Sequence, residues 1–413
     1  MIFLWKILKN IPDLILNFLF LPVWNFCGFT KRNQNLWIFT SWFGKKYNDS
    51  SRIFFEYLNK NYPQKNLVWI SKDKSIVKIL KNKGFKVCSA YSLKAIYYSA
   101  TAGKIFSTTG YEMFYGFTKG AEIYELWHGM PLKKILNDDE FSGGNIRKNK
   151  LAHILYKINR KFFVWKTITT LPNFFTVSAS KFFTPFLKSA FGLDEKHILP
   201  LGLPRIDALF YGKKESLINT IRSRFPNCRI VLYMPTFRTG AWTKRPFEPF
   251  CEKYEFNESR FMNFLNQQNV VFLYKPHFYD LNLMTNSNHK NRFIMINDDD
   301  YEELYNFVGQ VDILITDYSS IYFDFIVTRK PVILAPFDLD EYLATCRSHY
   351  FDYEELEGER AWNWEDVESI ISNKNYKAIS NEKLKQFAEF NDGKSCKKLF
   401  KYLCGDKNEK ADC

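Results

Sequence analysis

Apolar and polar positions along the chain alternate between two periods. Short, nearly continuous apolar runs at residues 36–40, 67–70, 85–88, 104–106 and 123–127 have the pattern of buried strands. Between them, residues 51–60, 75–82 and 93–100 carry apolar side chains at helical spacing. A second series begins near Arg229. Its predicted strands are 230–234, 270–274, 293–296, 312–316 and 332–335, and its helices are 259–267, 301–308 and 320–328. Helical segments at 364–372, 383–390 and 397–404 close the pattern, and 405–413 is a polar tail. Such alternation is the rhythm of parallel sheets covered by helices on both faces. The class is therefore α/β, as two Rossmann-like units in series joined near residues 202–207. Ligands in such sheets bind at the carboxyl ends of strands, so the informative residues are those just after each strand.

Two further segments have a different character. In residues 1–24, Leu4, Ile7, Leu8, Ile11, Leu14, Ile15, Phe18 and Leu19 form one stripe, with Lys6, Lys9, Asn10, Asp13 and Asn17 opposite. Internal charges and Pro12 and Pro22 break the run that a spanning helix needs, and Asp13 interrupts any signal-peptide core. The expectation is a membrane-associating amphipathic helix over residues 1–30, lying on the inner leaflet. Residues 145–166 repeat the theme: Leu151, Ile154, Leu155, Ile158, Phe162 and Trp165 make a stripe beside Lys150, Lys157, Arg160 and Lys161. The chain's formal charge of +14 over 413 residues asks for an anionic partner, whether membrane, phosphorylated substrate or nucleic acid. The eight cysteines are scattered without metal-ligand spacing, and read as free thiols of a reduced, cytosolic protein. No Gly-Lys-Ser/Thr phosphate loop and no G-x-G-x-x-G occurs, against a P-loop kinase or a dinucleotide dehydrogenase.

Four strand ends carry the candidate chemistry. Trp127-His128-Gly129 places a histidine directly after a strand, where its near-neutral pKa suits a general base. Pro235-Thr236-Phe237-Arg238 offers a hydroxyl and a guanidinium suited to phosphate. Lys275-Pro276-His277 supplies two more donors beside one strand end. In Thr316-Asp317-Tyr318-Ser319-Ser320, a strand gives way to a helix whose N-terminal N–H groups and Ser hydroxyls suit a phosphate, and Asp324 one turn on suits ribose hydroxyls.

These clusters, with Gly202-Leu203-Pro204-Arg205-Ile206-Asp207, Lys330-Pro331 and the Asp338/Tyr342 pair, resemble in order the CDP-glycerol glycerophosphotransferase family of teichoic acid primases and polymerases. The resemblance runs over roughly residues 35–375 and implies a GT-B fold. An acceptor-binding domain at 31–205 would face a CDP-polyol-binding domain at 206–404. It implies that an acceptor hydroxyl attacks the β-phosphorus of CDP-glycerol (or CDP-ribitol) and releases CMP. On that basis His128 is the base, and His277 and Arg238 stabilise the leaving diphosphate. Thr236, Lys275, Ser319 and Ser320 seat phosphate, and Asp324 holds the ribose. Arg205, Asp317 and Arg347 are further candidates. The acceptor would be lipid-linked or a glycan, met at the cytoplasmic face of the membrane, with no metal, no tightly bound cofactor and no nucleic acid. Phe278, Ser348 and Glu357 depart from the family pattern around the donor pocket. A sugar-transferring GT-B enzyme and a basic nucleic-acid-binding protein are the competing readings.

Overall fold

The computed structural model describes residues 21–110, 112–113, 115–139, 173–236, 238, 247–276 and 291–405. Of the helix expected over residues 1–30, residues 21–27 are helical and the part before residue 21 lies outside the described residues, as do the basic stripe at 145–166, His277 and the tail after residue 405.

The strands form where the apolar runs predict them. β1 (Asn33–Phe39), β2 (Asn66–Ser71), β3 (Val87–Ser89), β4 (Ala102–Ser107), β5 (Glu122–Glu125), β6 (Phe174–Val177) and β7 (Ile198–Leu199) make one sheet in the order β3-β2-β1-β4-β5-β6-β7. β8 (Arg229–Met234), β9 (Val270–Tyr274), β10 (Phe293–Met295), β11 (Ile313–Thr316), β12 (Val332–Leu334) and β13 (Glu359–Arg360) make the other, in the order β10-β9-β8-β11-β12-β13. Every pairing in both is parallel. β6, β7 and β13 were not among the strands that the pattern predicts, and β7 and β13, at two residues each, are too short to show a period.

Burial on both faces explains the near-continuous hydrophobicity. Ile38, Phe39, Ile105 and Phe106 are fully enclosed, and burying a side chain of this size contributes about 1.5–3 kcal/mol. In β8 the two faces separate: Val231 and Tyr233 enter a core built around Phe272 and Trp364. Ile230 and Leu232 face a larger core that is continuous with the first sheet.

The helices cover these faces, and several start where side chains satisfy the free N–H groups. α1 (Asp49–Asn61) follows β1, and α2 (Lys74–Asn82) is capped by Asp73, which accepts from Ser75 N and Ile76 N. α3 (Leu93–Thr101) is capped by Ser92 and α4 (Thr184–Phe191) ends at Gly192. α5 (Asp207–Tyr211) and α6 (Ser216–Arg224) lead into the second sheet. There, α7 (Glu258–Gln267), α8 (Leu304–Val308), α9 (Ile321–Phe325), α10 (Leu339–Thr345) and α11 (Trp364–Asn373) follow in order. α12 (Asn381–Ala388) and α13 (Ser395–Cys404) then return to the first sheet.

That return was not foreseen in a linear division at residue 206. Phe400 of α13 stacks on Tyr62 at 3.8 Å between ring centroids and lies 6.2 Å from Trp37. Asp207 accepts from Ser395 N and Cys396 N, both at 2.9 Å. Gly202 is required at this junction: with φ at +82°, a Cβ there would lie 2.5 Å from Ser395 Oγ and nearer still to the Phe390 carbonyl. Cys404 is disulfide-bonded, a departure from the expectation of free thiols that no local spacing signalled. Cys27, Cys88, Cys228 and Cys396 are buried free thiols.

Candidate functional site

In both sheets the chain reverses its order of addition beside the first strand, between β1 and β4 and between β8 and β11. Crevices open at such switch points, at the carboxyl ends of the strands. A cavity of about 280 Å³ lies where the two crevices face each other. Trp42, His128, Gly129 and Lys133 line it from the first unit, and Thr236, Ser319, Ser320 and Arg347 line it from the second.

The histidine turn is held from below by buried carboxylates. Trp127 has φ at +48°, a left-handed conformation that costs a bulky residue of order 1 kcal/mol. Glu125, fully buried at the end of β5, accepts from Trp127 N at 3.2 Å and from Ser107 Oγ at 2.7 Å. Arg205 Nη1 donates to the Trp127 carbonyl at 3.3 Å. Burial, reinforced by the nearby Glu112 charge, holds the Glu125 carboxyl well above the usual range. Glu112 in turn accepts from Thr108 N and Thr109 N at 2.7 and 2.5 Å. The Thr108 carbonyl so positioned meets His128 Nδ1 at 2.8 Å. A carbonyl only accepts, so Nδ1 carries the proton and Nε2 is the basic atom. Burial lowers the His128 pKa below its ordinary value, which keeps the ring neutral at cellular pH.

Gly129 brings this turn against the second unit. A Cβ on it would fall 2.6 Å from Ser320 Cβ and closer still to Ser320 Oγ. The next residues bind the units together through backbone. Lys133 and His349 form an antiparallel bridge, Lys134 N donates to Ser348 O at 2.9 Å, and Tyr350 N donates to Leu132 O at 2.8 Å.

The remaining sequence candidates separate into two groups. Thr236, Ser319, Ser320 and Arg347 join His128 around the cavity, and Arg347 Nε lies 3.5 Å from Asp139. Arg238 is buried and held by two carboxylates. Its Nε and Nη2 donate to Asp338 at 3.0 and 2.6 Å, and its Nη1 donates to Asp317. Asp317 also accepts from Thr236 N at 2.8 Å, so this cluster shapes the β8 and β11 ends. Lys275 pairs with Asp298 at 2.8 Å, and Asp298 is bonded across the units by Lys46.

Asp324 does not face the cavity as a ribose ligand would. It is buried, with Arg205 Nη2 at 2.9 and 3.2 Å from its two oxygens and Tyr305 Oη donating at 2.7 Å. Arg205 also reaches Asp49 at 3.3 Å. It thus ties α1 of the first unit to α9 of the second, a role that a lone Arg in a Leu-Pro-Arg-Ile stretch does not announce. Sequence reasoning also passed over Glu112, Glu125 and Glu303. For Glu125 the available signal was an acidic residue at the end of an otherwise apolar strand; Glu112 and Glu303, in loops, carried none.

The sequence model of the family described as CDP-Glycerol:Poly(glycerophosphate) glycerophosphotransferase matches residues 24–405. A teichoic acid poly(glycerol phosphate) polymerase of Bacillus spizizenii is 28% identical over 97% of this chain and 99% of its own. The teichoic acid ribitol-phosphate polymerase TarL of Staphylococcus aureus is 30% identical over 54% of this chain and 39% of its own. Among solved structures, the wall teichoic acid polymerase TagF superimposes with a TM-score of 0.69 at 22% identity, covering 97% of both chains. That likeness establishes the two-unit, GT-B-like fold.

Proposed function

We propose the following chemistry for this chain on the premise that it belongs to the CDP-Glycerol:Poly(glycerophosphate) glycerophosphotransferase family. The protein is a transferase. It moves glycerol phosphate from CDP-glycerol to an acceptor hydroxyl in teichoic acid synthesis. The observation that carries the residue assignment is the His128 Nδ1 contact with the Thr108 carbonyl, which leaves Nε2 as the base in the cavity.

In the step itself, the acceptor oxygen forms a bond to the β-phosphorus of the donor. The bond from that phosphorus to the bridging oxygen breaks, CMP departs with the electron pair, and the hydroxyl proton passes to His128 Nε2. Positioning and charge stabilisation supply most of the acceleration in phosphoryl transfer of this kind. Thr236, Ser319 and Ser320 are the hydroxyls placed to hold the diphosphate. Arg238 acts through Asp317 and Asp338, keeping the β8 and β11 ends in register, and Arg205 with Asp324 holds the units together. His277 is assigned to the leaving group by the family resemblance alone.

The acceptor is a lipid-linked or glycan hydroxyl presented at the cytoplasmic face of the membrane. The +14 charge supports docking on an anionic leaflet, as do the exposed Phe26, Phe29 and Leu93. Among the described residues no helix is long and apolar enough to cross a membrane. Sedimentation with anionic and with zwitterionic vesicles tests the docking: it predicts retention on the anionic ones alone. The reaction is tested by CMP release from CDP-glycerol and CDP-ribitol, with wild type beside His128→Ala. Absence of CMP from either donor with a lipid-linked acceptor would overturn the reading.

A further inference from the structure

Among the described residues, the cations around the cavity are, with one exception, already matched by carboxylates. Arg205 lies between Asp49 and Asp324, Arg238 between Asp317 and Asp338, Lys275 on Asp298, and Arg347 near Asp139. Lys133 differs. Its Nζ donates to the Thr236 hydroxyl at 3.3 Å, and among the described residues no carboxylate is within ion-pair distance of it. It lines the cavity with Thr236, Ser319, Ser320 and Arg347. Its backbone is fixed by the bridge to His349. An ammonium that is half-buried, repelled by neighbouring guanidiniums and short of an anion is incomplete until an anion arrives.

We infer that Lys133 binds the donor's diphosphate, so that the donor joins the first unit to the hydroxyls of the second at the Lys133–Thr236 contact. The inference rests on the donor reading above and adds a residue and a proton to it. The groups facing Lys133 are Arg347, Arg238, Asp317, Cys346 and His349. Burial, then the charges of Arg347 and Arg238, press the free amine down to about 7 against the pull of Asp317. A diphosphate beside Nζ raises it again. Above pH 7 the amine is largely neutral before binding and charged after, so donor binding takes up to about one proton from solvent. Affinity therefore falls as pH rises through 7.

Titration calorimetry in buffers of different ionisation enthalpy reads both quantities, using CDP-glycerol, CDP and cytidine. Lys133→Met, which suits the half-buried site, is expected to weaken CDP-glycerol and CDP by about 10- to 100-fold, the loss of one charge-assisted hydrogen bond, and to leave cytidine unchanged. Lys133→Arg is expected to retain diphosphate affinity without proton uptake, because a guanidinium stays charged throughout. Uptake arising at His128 or His349 would persist in that variant, so the pair separates the sources. Thermal unfolding of each variant verifies the fold. If wild type binds CDP-glycerol and Lys133→Met matches it, or if Lys133→Arg takes up the same proton as wild type, the inference falls and the function stands. If wild type binds no CDP-glycerol, both fall.

Discussion

Nδ1 of His128 lies 2.8 Å from the carbonyl oxygen of Thr108, and that contact assigns the ring's proton. A group that must be neutral to act, with a pKa below its ordinary 6.5, yields a rate that rises with pH and levels off before neutrality. CMP release is expected to show such an acid limb. His128→Ala should lower the rate by about 10²- to 10⁴-fold with the unfolding temperature little changed. Near-full activity in the folded variant would remove His128 from the reaction.

Gly129→Ala tests the closeness of the two units. The added methyl meets Ser320, and overpacking of this kind costs about 1–3 kcal/mol. Ser320→Gly removes both clashing atoms, so the double variant should recover the part of the loss that comes from the clash, while the strain of an alanine at φ +157° remains. A double-mutant cycle by denaturant unfolding would show strong coupling, whereas additive losses would mean that the units part freely.

Arg205 and Asp324 should behave as a structural pair. Arg205→Met leaves Asp49 and Asp324 buried without their cation, an expected loss of about 3–5 kcal/mol in urea unfolding. Asp324→Asn should also destabilise, with the KM for CDP-glycerol in the folded fraction unchanged. A raised KM at unchanged stability would restore the ribose role expected from sequence.

Glu303 gives a pH signature in stability. Its side chain is buried, both oxygens are without a hydrogen-bond partner, and Arg52 Nη1 lies 3.7 Å away. Burial, opposed by Arg52 and assisted by Asp49, pushes its carboxyl up to about 8. The folded state thus holds the proton more tightly than the unfolded chain, whose Glu titrates near ~4.3. Stability from this group is full below that value and is lost as pH rises to 8. Relative to wild type, Glu303→Gln should gain in unfolding temperature between pH 5 and 8. A difference constant across that range would mean an ordinary carboxylate.

Two units, their parallel sheets and the strand ends that carry His128, Thr236 and the Ser319-Ser320 pair could be read from the chain alone. Hydrophobic period is a local property, and residues just after a buried strand are confined to one end of the sheet. The two-residue strands β7 and β13 could not be read, because two residues carry no period. Nor could the company that each charge keeps. Arg238 and Lys275 look like free phosphate ligands in sequence, yet folding brings Asp317, Asp338 and Asp298 to them from 23 to 100 residues away. Asp324 meets Arg205 from 119 residues off. His128 was placed by its strand, but the carbonyl that assigns its proton comes from the neighbouring strand's end, 20 residues earlier. Lys133, one of two adjacent lysines in sequence, is distinguished only by what the fold withholds from it. Pairing, burial and proton position depend on groups distant in sequence, so only the tertiary structure decides them.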